Sequence, residues 1–267
     1  MIDLHCHLLP GIDDGADNLD ASLAMAQMAI ADGTQSLACT PHIYPGLYEN
    51  TADGIREGIV RLQAELDQRQ MPLRLHEGAD VHLVPNLGNG IVSGRIPTLA
   101  RSRYLLLEPP HHVLPPRFEE SVFALKLAGF VPVITHPERL SWIPDHYPML
   151  ARLVQGGAWM QLTSGSIVGR FGKTPRHISE RMLDEGLVHI IATDAHDTTR
   201  RPPLLSEGRE AAARRVGDEE ATHMVVTRPA GIIADRPPSE LPPPLAETGP
   251  SKAPRRWLWN NPFKLSR

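Results

Sequence analysis

Short apolar runs alternate with longer amphipathic stretches along most of this chain, and the two patterns predict different elements. Seven of the short runs are partly β-branched and almost continuously apolar, as in parallel strands that are buried on both faces. The predicted strands are Ile2–Leu4, Ser36–Cys39, Leu73–Leu75, Tyr104–Leu107, Val131–Ile134, Trp159–Leu162 and Val188–Ala192.

Between these runs, apolar residues recur at helical spacing. One such stripe ends at Gly33, a residue type suited to a helix C-terminus, and consists of Leu19, Leu23, Ala26 and Ile30. The same spacing predicts helices over Asp20–Ala31, Thr51–Arg69, Pro116–Ala128, Tyr147–Gln155, Pro175–Glu185 and Ser206–Val216. Strand and helix alternate about seven times, which predicts one α/β domain arranged as a barrel rather than an open sheet.

The character of the chain changes at Asp235. Eight of the 26 prolines lie between Asp235 and Arg267, where large apolar residues are few. Such a segment cannot form a core, so we expect a folded domain over residues 1–234 and a disordered, Pro-rich, basic tail over residues 235–267. The closing RRWLWNNPFKLSR is interpreted as an unstructured terminus, with weak docking to an anionic membrane surface or a partner as the alternative.

Charge and cysteine content narrow the class of protein. The tail carries six basic and three acidic residues, which leaves 21 basic and 28 acidic residues in the body, a net charge of −7. An acidic body argues against nucleic acid as a partner, because binding to phosphate backbones needs clustered Lys and Arg. Two cysteines exclude a disulfide scaffold, no apolar run reaches a membrane span, and the N-terminus differs from a signal peptide. We therefore expect a cytoplasmic protein.

Side chains that can ligate metals follow the predicted strands, at the point where each strand ends. Asp3, His5 and His7 alternate along the first strand, so all three point to one side of it. The later strands are followed by His42, Glu77, Asp80, Glu108, His136, Asp194 and His196. Barrel folds assemble their active sites at this end of the strands. Nitrogen and oxygen ligands without thiolate fit Mn²⁺, Fe²⁺ or Zn²⁺, and their number predicts a hydrolytic centre of two or three ions.

Other residues of catalytic type lack the required context. Cysteine-dependent tyrosine phosphatases need an Arg six positions after the Cys, and neither Cys6 nor Cys39 has one there. Eight of the thirteen histidines are interpreted as surface or packing residues: His76, His82, His111, His112, His146, His177, His189 and His223. Of these, His111 and His112 follow Glu108 closely enough to contact a substrate.

Taken together, the motifs resemble those of the PHP (polymerase and histidinol phosphatase) family. They are MIDLHCHLLPGIDDG, TPH, GAD, LLLE, THPER and TDAH with a later RPP, in unbroken order over residues 1–228. Within that family they are similar to the metal-dependent tyrosine phosphatases of bacterial capsule and exopolysaccharide loci. The resemblance implies a distorted (β/α)7 TIM-like barrel with three metal ions, usually manganese.

The resemblance also implies roles for individual residues. The ligand sets of the three ions would be, in turn, His5, His7 and Asp194; Glu108 and His136; and Asp14, His42 and His196. The family's bridging carboxylate follows a Gly-Ala pair, which places Asp80 where the family usually has Glu, with Glu77 as the competing candidate. Arg139 and Arg201 match arginines that bind the substrate phosphate, whose oxygens suit the guanidinium fork.

Three functional hypotheses follow from these observations. The first is a metal-dependent protein-tyrosine phosphatase that uses a metal-activated hydroxide. By resemblance, its substrate would be the phosphotyrosine tail of a membrane-associated bacterial tyrosine autokinase that controls capsule or exopolysaccharide synthesis. The second keeps the site but takes a small phosphomonoester such as histidinol phosphate or a nucleotide. The third is a non-catalytic kinase-binding module with a degraded metal site. Assembly into a homo-oligomer, as in some relatives, stays open.

Overall fold

The structure is a computed structural model, and it describes residues 1–84 and 87–248. Within these ranges the strands are β1 (Ile2–Cys6), β2 (Ser36–Cys39), β3 (His42–Ile43), β4 (Arg74–Glu77), β5 (Asp80–His82), β6 (Tyr104–Glu108), β7 (Val131–Thr135), β8 (Trp159–Thr163) and β9 (Ile190–Ala192). All seven predicted strands are present. Sequence reasoning missed β3 and β5, because two or three residues are too few to show a pattern.

Helices connect the strands and cover the sheets. Those in the described ranges are α1 (Leu19–Ala31), α2 (Ala52–Gln68), α3 (Leu87–Val92), α4 (Phe118–Leu127), α5 (Ile143–His146), α6 (Pro148–Gln155), α7 (Ser164–Ile167), α8 (Lys173–Asp184), α9 (Ser206–Val216), α10 (Asp218–Thr222), α11 (Arg228–Ile233) and α12 (Leu245–Thr248). A π-helical turn, His223–Thr227, joins α10 to α11. The six predicted helices are all present. Across the residues with described structure, no helix is long and apolar enough to span a membrane.

Every strand pair is parallel. One sheet has the order β1-β2-β4, and the other has the order β3-β5-β6-β7-β8-β9. The chain passes from the first sheet to the second directly after β2 and again after β4. An isolated parallel bridge between Cys6 and Ala195 links the end of β1 to the segment that follows β9. The predicted α/β class is therefore confirmed, and the carboxyl ends of these strands meet at one side of the molecule.

Burial follows the hydrophobic pattern from which the elements were predicted. Strands β6, β7 and β8 are buried at every position, as their continuous apolar sequences require. The longest helix, α2, begins where the Thr51 side chain accepts a hydrogen bond from the Gly54 N–H. It then buries a stripe that includes Ile55, Leu62 and Leu66. Together these strands and helices fix the strand ends, and with them the polar side chains described below.

Residues 235–248 differ from the expected disordered tail, because they pack against the domain. Asp235 Oδ1 lies 3.0 Å from Arg103 Nε, and Leu241 is buried. The buried Arg228 guanidinium donates from Nε to the Pro242 carbonyl (2.8 Å) and from Nη2 to the Pro243 carbonyl (2.7 Å). Prolines lack an N–H but keep this acceptor, so a Pro-rich sequence can still be held by hydrogen bonds. The remainder of the predicted tail, residues 249–267, lies outside the described residues.

Candidate metal centre

Strand ends from both sheets deliver one cluster of histidines and carboxylates. His5 lies on β1, Glu108 ends β6, and His136 follows β7. The nine residues predicted as metal ligands are all brought together: His5, His7, Asp14, His42, Asp80, Glu108, His136, Asp194 and His196. Parallel strands place their carboxyl ends side by side, and for this reason residues far apart in sequence meet here.

Asp80 lies at the centre of this cluster. Its Oδ2 atom is 3.4 Å from His5 Nε2, 3.6 Å from His42 Nδ1 and 3.9 Å from His136 Nε2. The residue is fully buried, and neither carboxylate oxygen has a hydrogen-bond partner among the described residues. A buried carboxylate surrounded by imidazoles would serve as a ligand if divalent cations bind here.

Glu77, the competing candidate, points elsewhere. Its carboxylate lies 3.2 Å from Arg56 Nη1 and 2.9 Å from Arg101 Nε, so it forms ion pairs at the far side of the turn that joins β4 to β5. Gly78 lets that turn pack tightly, because a Cβ there would lie 2.9 Å from Thr40 Cγ2. The geometry therefore favours Asp80 over Glu77 as the bridging ligand.

The Asp-Asp-Gly motif after β1 supplies two carboxylates with different roles. Asp14 Oδ1 lies 3.4 Å from both His42 Nε2 and His196 Nε2, as the resemblance implied. Asp13 Oδ2 instead lies 2.7 Å from His7 Nδ1, which orients that ring with Nε2 toward the cluster. Gly15 is required for close packing, because a Cβ there would lie 2.3 Å from the His7 carbonyl oxygen.

Sequence reasoning missed several supporting residues. Besides Asp13, Gln161 on β8 contacts His5, with its Oε1 atom 2.8 Å from His5 Nδ1. His111 Nε2 lies 3.4 Å from Glu108 Oε1, and His82 Nδ1 lies 3.6 Å from Glu108 Oε2. Both histidines were interpreted as surface or packing residues, with His111 also expected close enough to contact a substrate, and the structure places both in contact with the cluster. The spacing of His111, three residues after Glu108, was the available signal.

In the described part of the chain, four groups with shared members each bring three or more ligand atoms close enough to hold an ion. They are His7, Asp14, His42 and His196; His5, His7 and Asp80; Glu108, His111 and His136; and His42, Asp80 and Glu108. The first contains the whole implied third set, and the third adds His111 to the implied second set. Asp194 completes the implied first set, since its Oδ1 lies 3.3 Å from His5 Nε2 and 3.4 Å from His7 Nε2.

The histidine pKa values show how strongly the carboxylates act on this cluster. Burial, the largest influence on His5, lowers its pKa, but Asp194 and Asp80 outweigh burial and raise the pKa to about 9. Partial burial likewise acts to lower the pKa of His42, yet Glu108 and Asp80 raise it to about 10. In both cases the carboxylates favour positive charge at this cluster. Divalent cations would supply the same positive charge.

Unpaired polar atoms test whether the residues fit a metal. Both oxygens of Asp80, Nδ1 of His42 and Nε2 of His196 are buried without a hydrogen-bond partner in the described part of the chain. Burial of such atoms is costly unless something binds them. Because they converge and offer only nitrogen and oxygen, the site fits divalent cations of the Mn²⁺, Fe²⁺ or Zn²⁺ type.

Two ligand candidates adopt a left-handed backbone conformation that non-glycine residues rarely take. His136 has φ 35° and Asp194 has φ 50°. His136 comes directly after β7 and Asp194 comes two residues after the end of β9, where the chain turns away from the sheet. Backbone strain of this kind costs about 1–3 kcal/mol per residue and concentrates at functional sites. The fold thus holds these two side chains in the cluster at a cost in stability.

The two predicted arginines lie together at the edge of the cluster. Arg201 Nη2 is 2.6 Å from Asp194 Oδ2, and Arg139 Nη1 pairs with the same oxygen. Phe171 packs against both guanidiniums, with its ring centroid 4.6 Å from Arg139 Cζ and 6.0 Å from Arg201 Cζ. Arg201 Nε has no hydrogen-bond partner within the described ranges, so this pair keeps donors available for an anion.

Comparisons with known proteins match most of this chain to one family. Residues 1–234 match the family model described as capsular polysaccharide synthesis, CpsB/CapC. The chain is 34% identical over 219 residues to the tyrosine-protein phosphatase YwqE of Bacillus subtilis, covering 82% of this chain and 86% of that protein. It is 26% identical over 241 residues to the tyrosine-protein phosphatase CpsB of Streptococcus pneumoniae, covering 88% and 99%.

Solved structures show the same likeness. A crystal structure from work on YwqE of Bacillus subtilis and CpsB of Streptococcus pneumoniae, described as metal-dependent tyrosine phosphatases, superposes with a TM-score of 0.85. That chain is 32% identical in sequence, and the match covers 89% of this chain and 96% of the other. The likeness therefore extends over nearly the whole of both chains.

Proposed function

We propose that this chain, which belongs to the CpsB/CapC family of capsular polysaccharide synthesis, is a metal-dependent protein-tyrosine phosphatase. The observation that carries the proposal is the buried cluster of unpaired nitrogen and oxygen ligands with two arginines at its edge. Cations neutralise phosphate charge and guanidiniums bind phosphate oxygens, so the cluster and its arginines together suit a phosphomonoester. Phosphotyrosine is proposed as the substrate because the relatives are named tyrosine-protein phosphatases.

The ligands that we propose for two or three Mn²⁺ ions are the nine residues predicted from the sequence, with His111 added beside Glu108. Asp80 would bridge, because it is fully buried and its neighbours His5, His136 and His42 come from all three implied ligand sets. When bound, such ions lower the pKa of water and act as Lewis acids on phosphate oxygens. Fe²⁺ and Zn²⁺ accept the same donors and are the alternatives.

The chain's own residues prepare the reaction in two ways. Asp13 and Gln161 each face the Nδ1 atom of a cluster histidine, which keeps that histidine's Nε2 lone pair directed inward. Arg139 and Arg201 exchange Asp194 for phosphate oxygens, since a guanidinium binds either anion in the same geometry. The phosphate is thereby oriented at the edge of the cluster.

We further propose a partner, a cellular location and a closed fold. The substrate would be the phosphotyrosine tail of a bacterial tyrosine autokinase that controls capsule or exopolysaccharide synthesis, met in the cytoplasm. The two sheets would close into a distorted seven-stranded barrel. β2 with β3, and β4 with β5, follow each other so closely that each pair counts as one bent strand. The Cys6–Ala195 bridge supports contact between β1 and β9.

Hydrolysis of a phosphotyrosyl peptide and of p-nitrophenyl phosphate tests the function. We expect turnover that needs Mn²⁺, stops with chelator and returns when Mn²⁺ is restored. His136→Ala should lose this activity, whereas His146→Ala, a substitution at an exposed histidine outside the cluster, should keep it. Turnover that ignores chelator, or full activity in His136→Ala, would contradict the proposal.

A further inference from the structure

A cavity of about 400 Å³ opens in front of the cluster of histidines and carboxylates. Its floor contains Asp14, His42 and Glu108, which belong to the cluster, and its walls come from two loops, residues 44–48 and 110–113. This volume lies within the range of pockets that hold small molecules or single side chains. Apart from His111, the wall residues are not among the proposed metal ligands, so their side chains are placed to contact the part of the substrate beyond the phosphate.

The first wall is a tight hairpin with apolar and aromatic side chains. The Tyr44 N–H donates to the Tyr48 carbonyl (3.0 Å) and the Tyr48 N–H donates to the Tyr44 carbonyl (2.8 Å). The Tyr44 ring stacks on His82 at 3.9 Å, and the Tyr48 ring stacks on His42 at 5.5 Å. Leu47, near the tip, is 61% exposed. The hairpin is thus anchored to the cluster while its apolar tip faces solvent.

The second wall is also anchored. The Pro110 carbonyl accepts a hydrogen bond from Trp142 Nε1 (2.8 Å), and the His111 carbonyl accepts one from the Ser141 N–H (2.9 Å). Val113, which lines the same cavity, is 66% exposed. Two fixed loops therefore present exposed apolar side chains at the mouth of a site whose floor is polar. An exposed apolar patch at such a place marks a ligand surface.

We propose that these two walls grip the aromatic ring of the substrate and set a preference for aryl over alkyl phosphomonoesters. This inference rests on the proposed function, because it takes the phosphate end of the substrate to lie at the cluster. In phosphotyrosine a full ring separates the phosphate from the peptide and reaches the walls. In phosphoserine only a single methylene separates the phosphate from the peptide. It is too short to reach the walls, so the apolar side chains there stay uncovered. Tyr44, Leu47 and Val113 are then specificity-determining residues.

The double variant Leu47→Ser/Val113→Ser tests this role, because both side chains are exposed and neither belongs to the cluster. We expect kcat/KM for a phosphotyrosyl peptide to fall about tenfold, at the lower end of the contribution of pocket contacts to discrimination. The inhibition constant of phenylphosphonate should rise about as much. The constants of methylphosphonate and inorganic phosphate should stay within about twofold, since neither ligand reaches the walls.

Two further variants control for general effects. Val60→Ser/Leu127→Ser removes two equally exposed apolar side chains, 69% and 74% exposed, from helices away from the cavity, and it should leave all constants unchanged. Tyr44→Phe should keep the aryl preference, whereas Tyr44→Ser should reduce it. Equal weakening of phenylphosphonate and methylphosphonate, or unchanged aryl constants, would overturn the inference while metal-dependent turnover stands. A wild type without such turnover would overturn the proposed function itself.

Discussion

Two buried charges, Arg228 and Asp80, are held in contrasting ways. Arg228 is fully buried, and its guanidinium donates to the carbonyls of Pro242, Pro243 and His189 and to Glu220 Oε2. Asp80 is equally buried, yet neither of its oxygens has a hydrogen-bond partner in the described residues. The chain gives Arg228 a full set of hydrogen-bond acceptors, whereas Asp80 is surrounded by histidines that lie 3.4 Å or more from its Oδ2 atom.

The contrast separates structural from functional burial. A buried charge with a full set of partners stabilises one arrangement of the chain, while a buried charge without them is retained only where a ligand completes it. Arg139 and Arg201 are intermediate, because they share one carboxylate oxygen and the face of one ring. Their guanidiniums can make the same contacts with another anion in place of Asp194.

The largest effect is expected from substitution of Asp80, the buried carboxylate without a hydrogen-bond partner. Asp80→Asn removes the central negative charge, so we expect kcat to fall about 10⁴-fold, since bound ions supply several kcal/mol of transition-state stabilisation. Glu77→Gln is the matched control, because Glu77 pairs with Arg56 and Arg101 outside the cluster and its loss should leave kcat within a few-fold. Steady-state kinetics on a phosphotyrosyl peptide, with Mn²⁺ titrated for each variant, measures both. An inactive Glu77→Gln with an active Asp80→Asn would reverse the assignment.

Substitution of Arg228, the buried charge with a full set of partners, should affect stability instead. Arg228→Leu leaves Glu220 buried without its partner, so we expect the free energy of unfolding to fall by about 3–5 kcal/mol. Urea denaturation in chelator measures this directly. In the double variant Arg228→Leu/Glu220→Leu the loss should be smaller than in the single one, because no buried charge remains. A loss below 1 kcal/mol in the single variant would mean that Arg228 is not the structural anchor we describe.

A smaller, pH-dependent effect is expected beside Arg228. Burial, reinforced by Arg228, lowers the pKa of His189 to about 3 in the folded protein. Between this value and the unfolded pKa of about 6.5, the unfolded chain binds more protons, so stability falls as pH falls. We expect a loss of about 2 kcal/mol from pH 6.5 to 5, and a flatter profile in His189→Gln. Urea titrations in chelator at several pH values, with exposed His112→Gln as control, distinguish the two profiles.

The smallest effect is expected where the two arginines meet Phe171. Phe171→Leu removes the ring beneath Arg139 and Arg201, and cation–π contacts contribute about 0.5–1 kcal/mol each, so KM should rise about three- to fivefold. Because the ring acts through the arginines, kcat should change less than KM, and Phe171→Tyr should restore the wild-type value. A change confined to kcat would show that the ring does not position the phosphate-binding arginines.

The apolar runs of the sequence predicted the α/β class. They also showed where strands end, and from this we predicted that ligand candidates far apart in sequence lie together. It left the choice between Asp80 and Glu77 open, since both follow the same short strand and only the turn at Gly78 separates their directions. Asp13 and Gln161 were missed for a related reason. Residues that orient a ligand through its second nitrogen need no fixed spacing from it.

Composition was a poorer guide to the C-terminal segment. A proline-rich stretch has too little apolar surface to form a core, and on that basis disorder was expected from residue 235. Residues 235–248 are nevertheless held, because their carbonyls are acceptors for Arg228 and Leu241 packs against the domain. The amino-acid composition of a segment does not show that its carbonyls accept hydrogen bonds from a buried arginine elsewhere in the chain.

The packing of this segment has a practical consequence for preparing the protein. The match to the family model ends at residue 234, which invites truncation at that point. A recombinant chain cut there would lose Pro242 and Pro243, so the Arg228 guanidinium would lose two of its hydrogen-bond acceptors. We expect poor yield and aggregation of such a chain. A chain ending at residue 248 keeps these contacts, and it is the better starting point for crystallisation with Mn²⁺ and a phosphotyrosine analogue.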